Sequence, residues 1–200
     1  MEKNIIDLYD ADLSDLKWER IFACNDKQLT SLKGAPKEVT GSFLCTKNLL
    51  ITLEGAPKKV GDNFVCENNK LKTLKGSPKT VSGYFICSFN KLTTLIGCPQ
   101  KIKKSFNCSD NNIISLKDGP EEVGEHFDCS FNNITSLEGF TTKIGGNFYA
   151  DNNPNPHLEE EYEIRKNNPD LDDSTINTIM FEKTKSEFYL PQEVKNIFIF

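Results

Sequence analysis

The feature that most constrains this chain is a phenylalanine every 21 residues: Phe22, Phe43, Phe64, Phe85, Phe106, Phe127 and Phe148 follow one another without insertion. An ordinary globular core does not require equal spacing. A pile of equal coils does, because each coil must present its apolar side chain level with that of its neighbour. The spacing therefore predicts a solenoid, and it defines a kind of surface better than it defines a reaction.

Within each unit, Phe-x-Cys alternates with period two and predicts a short strand with Phe and Cys facing inward. Six of the seven cysteines (Cys24, Cys45, Cys66, Cys87, Cys108, Cys129) sit two residues after their phenylalanine. They are expected to be reduced, buried core thiols, and Cys98, between Gly97 and Pro99, is the exposed one. Asn48, Asn69, Asn90, Asn111, Asn132 and Asn153 lie five residues after their phenylalanines, where an amide can satisfy backbone groups at the turn leaving the strand. Two more inward positions follow, as in Leu50 and Leu53 or Leu71 and Leu74, and Gly-x-Pro then turns the chain back. Because proline has no N–H to donate, the return is expected to be extended and polyproline-like, outside any central sheet.

The ends depart from this pattern. Residues 1–21 are predicted as an N-terminal cap, with a short helix over Asp10–Leu16 and with Trp18 as core, in the place later held by Val39, Val60 and Val81. Residues 22–153 hold seven repeats. Residues 154–200 are expected to form a C-terminal insertion and closing strand: one helix over His157–Asn167, a second over Ser174–Lys183 capped by Ser174 and docked on the stack, and a last strand. That strand is read from Pro191, Val194, Phe198 and Phe200, spaced like Pro36, Val39, Phe43 and Cys45. The whole is one continuous domain, an α/β-type solenoid dominated by β.

Composition narrows the functional classes. No segment approaches the roughly 18 to 20 apolar residues of a membrane helix, and the first residues lack the layout of a secretory signal, so a cytoplasmic protein away from the membrane is expected. The net charge of −5 belongs to the tail: residues 1–150 carry 19 basic and 18 acidic side chains, residues 151–200 carry 5 and 11. Lys37, Lys58 and Lys79 should line the return face. Interleaved Glu38, Glu54, Glu121, Glu122 and Glu138 make that a solvated face rather than a nucleic-acid site. No cysteine or histidine spacing calls for a metal or other cofactor. Catalysis has little support, since His126 and His157 lie in different elements and only Ser109 and Asp128 share the sheet with His126.

The consensus Phe-x-Cys-x-x-Asn-x-Leu-x-x-Leu-x-Gly-x-Pro-x-x-Val resembles the leucine-rich repeat over residues 22–153, with Phe and Cys in its first two apolar places. The short unit with a proline return is similar to repeats of secreted bacterial effectors. Its Phe-x-Cys variety looks closer to repeat proteins encoded by bacteriophages, and the segment after the stack is too short for the ligase domain joined to some of those effectors. Lys27 in place of the first ladder asparagine, Asp118-Gly119, Thr141, Ala150 and Asn155 are departures. The resemblance implies a non-catalytic module that binds a protein, plausibly a host protein it inhibits, through the concave sheet. The outward strand residues are then the contact candidates: Leu44, Val65, Tyr84, Ile86, Phe89, Asn107, His126, Asp128, Phe131 and Tyr149. Their apolar members could instead pair two copies of the chain in a homo-oligomer, and Phe89 and Phe131 could instead turn inward as a second spine.

Overall fold

Every coil contributes two strands rather than one. A computed structural model describes residues 3–5, 9–140 and 142–189, with the backbone alone for residues 184–189. The odd strands β1 (Lys17–Trp18), β3 (Glu38–Val39), β5 (Lys59–Val60), β7 (Thr80–Val81), β9 (Lys101–Ile102), β11 (Glu122–Val123) and β13 (Lys143–Ile144) pair in that order. The even strands β2 (Phe22–Ala23), β4 (Phe43–Leu44), β6 (Phe64–Val65), β8 (Phe85–Ile86), β10 (Phe106–Asn107), β12 (Phe127–Asp128) and β14 (Phe148–Tyr149) form the other sheet. Both sheets are parallel, and each strand pairs with its counterpart 21 residues on, as Phe64 with Phe85 and Val39 with Val60. The described residues thus form a β-solenoid with parallel strands, followed by the helices α1 (Leu158–Asn167) and α2 (Asp173–Tyr189).

The second sheet corrects the expectation of an unpaired return. Proline itself makes no ladder bond, but the loss is local: Lys58, next after Pro57, donates its N–H to Lys37 O at 2.9 Å, and pairing of Val60 follows at once. Turning the chain into that strand needs a left-handed glycine. Gly76 has φ +99°, and a Cβ there would collide with the carbonyl of Leu53 in the preceding coil.

Register stacks the interior. Successive rings from Phe22 to Phe148 lie 4.9 to 5.8 Å apart, and all six from Phe22 to Phe127 are fully buried. Burying such a side chain contributes roughly 1.5–3 kcal/mol, and each aromatic pair about 0.5–1.5 kcal/mol more. The phased cysteines are buried beside them as free thiols. Several donate S–H to the next coil's carbonyl, as Cys66 does to Ile86 O at 3.4 Å. Burial pushes the Cys24 thiol up to about 12 and holds Cys45, Cys87 and Cys108 well above the ordinary value. Cys98 is the most exposed of the seven, though only half-exposed, and burial with the nearby Asp118 charge raises it to about 12 as well.

The asparagines fasten coil to coil. Asn90 Nδ2 donates to Cys66 O of the preceding coil at 3.1 Å and, within its own coil, to Cys87 O and Ser88 O, while its Oδ1 accepts Leu71 N–H at 3.0 Å. The same set recurs at Asn48, Asn69, Asn111 and Asn132. Since each reaches back one coil, the first coil has nothing to reach, which explains Lys27.

The N-terminal edge is covered by hydrogen-bonded chain and aromatic rings. Thr30 and Ile5 join residues 3–5 to the first coil through Thr30 N–H to Lys3 O and Ile5 N–H to Lys33 O. Asp10–Leu16 is a run of turns, not the expected helix. Leu13 is buried there and donates its N–H to Gly34 O at 2.9 Å, a bond to the stack that competes with helical pairing. Trp18 is half-buried and meets Phe22 edge-on at 5.1 Å. At the other edge Phe140 takes the place that Ala35, Ala56, Ser77 and Cys98 hold in earlier coils, and its ring lies 5.5 Å from that of Phe127.

Residues up to Leu158 form one compact unit, and Glu159–Phe200 a second. In the second, α1 has acidic residues in its first turn and Arg165 and Lys166 in its last, as the helix dipole favours. Arg165 holds the buried Glu161 at 2.8 Å and Asp173 at 2.6 Å. The cap of α2 is Asp172, whose Oδ1 accepts Thr175 N–H at 2.8 Å, rather than Ser174. The closing strand read from Pro191, Val194, Phe198 and Phe200 lies outside the described residues.

Replacing Asn90 by Ala strands the Leu71 N–H and several buried carbonyls and should lower unfolding stability by about 3 kcal/mol. Lys27→Asn, with no earlier coil to bind, should change it by less than about 0.5 kcal/mol; urea midpoints of the two variants check both. The raised thiols set a second expectation. Below about pH 9 folded and unfolded chains alike keep these protons, whereas above it only the unfolded chain releases them. Stability should fall as pH rises beyond 9 by about 1.4 kcal/mol per pH unit for each buried thiol. Urea midpoints from pH 7.5 to 10.5 measure this, and Cys66→Ala should flatten the slope by one thiol's share.

Candidate interaction surface

The outer faces of the two sheets differ in chemistry. On the odd sheet the outward row reads Lys17, Glu38, Lys59, Thr80, Lys101, Glu122, Lys143 in register, so each glutamate lies between two lysines and Thr80 separates the two groups. Glu38 pairs with Lys17 at 3.8 Å and Lys59 at 3.9 Å, and Lys101 with Glu122 at 3.2 Å. Such exposed pairs contribute little to stability, and with four lysines against two glutamates the row keeps a net positive charge. Lys37, Lys58 and Lys79 are exposed nearby. The charged row was hidden from sequence reading because the return had not been assigned as strand; the residue before each repeat valine carries its signal.

The even sheet places the predicted contact residues together. Leu44, Val65, Ile86, Asn107, Asp128 and Tyr149 form one row in successive registered strands. The first five are half-buried and Tyr149 is exposed. One half of the row is aliphatic. The other is polar and already engaged: Asp128 Oδ1 accepts Ser130 N–H at 2.9 Å, Asn107 Oδ1 accepts Ser109 N–H at 2.9 Å, and the two side chains meet at 3.5 Å.

A second row lies one side-chain period before it. Tyr84 is exposed, with Lys104 Nζ 4.9 Å from its ring centre, a cation–π contact absent from the sequence reading. His126 Nδ1 accepts Asn147 N–H at 3.0 Å, so the neutral ring carries its proton on Nε2, and the ring stands 5.9 Å from Tyr149. Asn147 donates in turn to the Tyr149 hydroxyl at 2.8 Å. His126, Asp128 and Ser109 each bond to other groups and not to one another, and Ser109 is buried.

The corner that leaves this sheet carries the largest exposed side chains. One residue per coil there, Asp26, Lys47, Asn68, Phe89, Asp110, Phe131 and Asn152, adopts φ of 53° to 55°. Left-handed backbone costs an L-residue roughly 1–2 kcal/mol, least for Asn and Asp, whose short polar side chains bond locally. Phe89 and Phe131 bear that cost and remain 53% exposed, so the inward spine is ruled out for them. No ring contact offsets it. Ile51, Ile96 and Ile114 are also exposed and lie in coils that are not all consecutive, Ile51 and Ile114 at one repeat position and Ile96 at another.

Among the described residues no group of three or more His, Cys, Asp or Glu is placed to hold a metal ion, and no helix is long and apolar enough to cross a membrane. Comparison with known protein families, with curated proteins and with solved structures gives no match.

Phe89→Asn and Phe131→Asn copy the residues of equivalent coils, Asn68 and Asn152. Each should leave stability within about 0.5 kcal/mol of wild type despite deleting an aromatic ring, since the strain relieved offsets the loss of the half-buried ring; calorimetric melting of the single and double variants gives the measure.

Proposed function

We propose that this protein is a non-catalytic interaction module that grips another protein with the outer face of its even-strand sheet. The observation that carries the reading is the pair Phe89 and Phe131: two large rings held in solvent, on strained backbone, beside an aliphatic row. Strained residues persist where a function requires them, and exposed aromatics beside an apolar patch are natural anchors for a partner. Leu44, Val65, Ile86 and Tyr84 supply the adjoining apolar area, while Asn107, Asp128, His126 and Tyr149 form a polar border.

The leucine-rich-type consensus supports the same role, because repeat stacks of that kind bind proteins through their strand residues. Its phage-like variety gives the partner's class: a host protein, met in the cytoplasm, that the module holds or inhibits. The odd sheet, with its row of charged side chains, serves as the solvated back.

Affinity capture from the native cell with wild type and the Phe89→Asn/Phe131→Asn double variant tests the proposal. The double variant should be folded, close to wild type in stability, and should lose a partner that wild type retains. A stable dimer of the pure protein by light scattering, dissolved by Ile86→Asp, would replace this reading with self-assembly through the same face.

A further inference from the structure

Building on the sheet face as a protein-binding surface, we infer that Phe89, Asp110 and Phe131 form a clamp for one basic side chain, preferentially arginine, presented by the partner protein. The three residues occupy the same place in successive coils, with φ of 53°, 54° and 55°. They also continue the ladder: Phe89 N–H donates to Ser109 O at 3.3 Å, Asp110 N–H to Ser130 O at 3.1 Å and Phe131 N–H to Asp151 O at 2.8 Å. Equal backbone in equal register sends the three Cα–Cβ bonds out in parallel, at steps of about 4.8 Å. Two phenyl groups therefore start about 10 Å apart with a carboxylate between them. A flat cation entering that gap comes within about 6 Å of both ring centres, the range over which a ring face attracts a cation.

Charge selects the occupant. Asp110 is half-exposed, and among the described residues its carboxylate makes neither an ion pair nor a hydrogen bond, in contrast to Asp128 on the adjoining row, which is taken by Ser130 and Asn107. The corner residues on either side, Asn68 and Asn152, are neutral, and the exposed Asp151 adds negative charge at the same strand exit. Lys70 and Lys91, two residues beyond the corner, form no ion pair there. An acidic or phosphorylated segment would be repelled by Asp110, and a purely apolar one would bury its carboxylate unpaired. A guanidinium satisfies all three residues, stacking on the rings while donating to the carboxylate, and its planarity favours it over the lysine ammonium.

The test titrates the isotope-labelled full chain with a blocked peptide carrying a single arginine and with the same peptide carrying glutamate instead, followed by NMR. The ring protons of Phe89 and Phe131 should shift saturably with the arginine peptide alone. Asp110→Asn, a residue the equivalent coils already accommodate, should weaken that binding at least threefold without loss of folding. Equal responses to both peptides, no saturable response to arginine, or indifference to Asp110→Asn would overturn the clamp. If the clamp fails in this way while the captured partner is still lost from the double phenylalanine variant, the protein-binding reading stands without it. A captured partner indifferent to both phenylalanines overturns the reading and the clamp together.

Discussion

The structure depends on one repeated exchange: the backbone of each coil hydrogen-bonds to the next in register, and a buried asparagine ties the two at the corner. Because Asn69 takes a carbonyl from the coil before it and gives its own oxygen to Leu50 N–H, no coil can change length without leaving buried groups unpaired. Among the described residues no buried side-chain nitrogen or oxygen lacks a partner. The equal spacing of the phenylalanines is thus a consequence of hydrogen-bond closure as much as of apolar packing.

A stack of this kind has two raw ends, and the chain closes them with unlike devices. At the start, Tyr9 and Trp18 gather around Phe22, at 5.4 and 5.1 Å. At the finish, a large ring at Phe140 occupies a small-residue position, and Ala150 stands where earlier coils bury a thiol. Only interior coils must satisfy a neighbour on both sides, so the unit can vary at the ends without cost to the ladder.

Uniform backbone also disciplines the surface. Any side chain repeated at one place in the coil becomes a row, with steps of about 4.8 Å, and rows of differing chemistry separate the two sheets. One sheet carries a row of lysines with two glutamates set between them. The other leaves aliphatic, aromatic and acidic groups side by side, and at its corner spends conformational energy to hold two phenylalanines outward. At that corner Phe89, Phe131 and Lys47 bear a backbone cost that Asn and Asp lessen in the other coils.

The sequence by itself determined the coil length, the inward phenylalanines and cysteines, the asparagine ladder, the glycine turn and the helix over residues 158–167, because each depends on residue type at a fixed period or on a local composition. The row from Leu44 to Tyr149 was legible for the same reason. Tertiary structure decided what depends on pairing between coils: the second sheet, formed because the proline's missing donor is made good one residue later; the turns at Asp10–Leu16, drawn out of helix by the bond from Leu13 to Gly34; and the outward, left-handed setting of Phe89 and Phe131. The letters alone left two settings open for these phenylalanines, outward among the contact residues or inward as a second spine. Only the backbone conformation forced by the coils above and below turned these two toward solvent, and that conformation belongs to the stack and not to the residue.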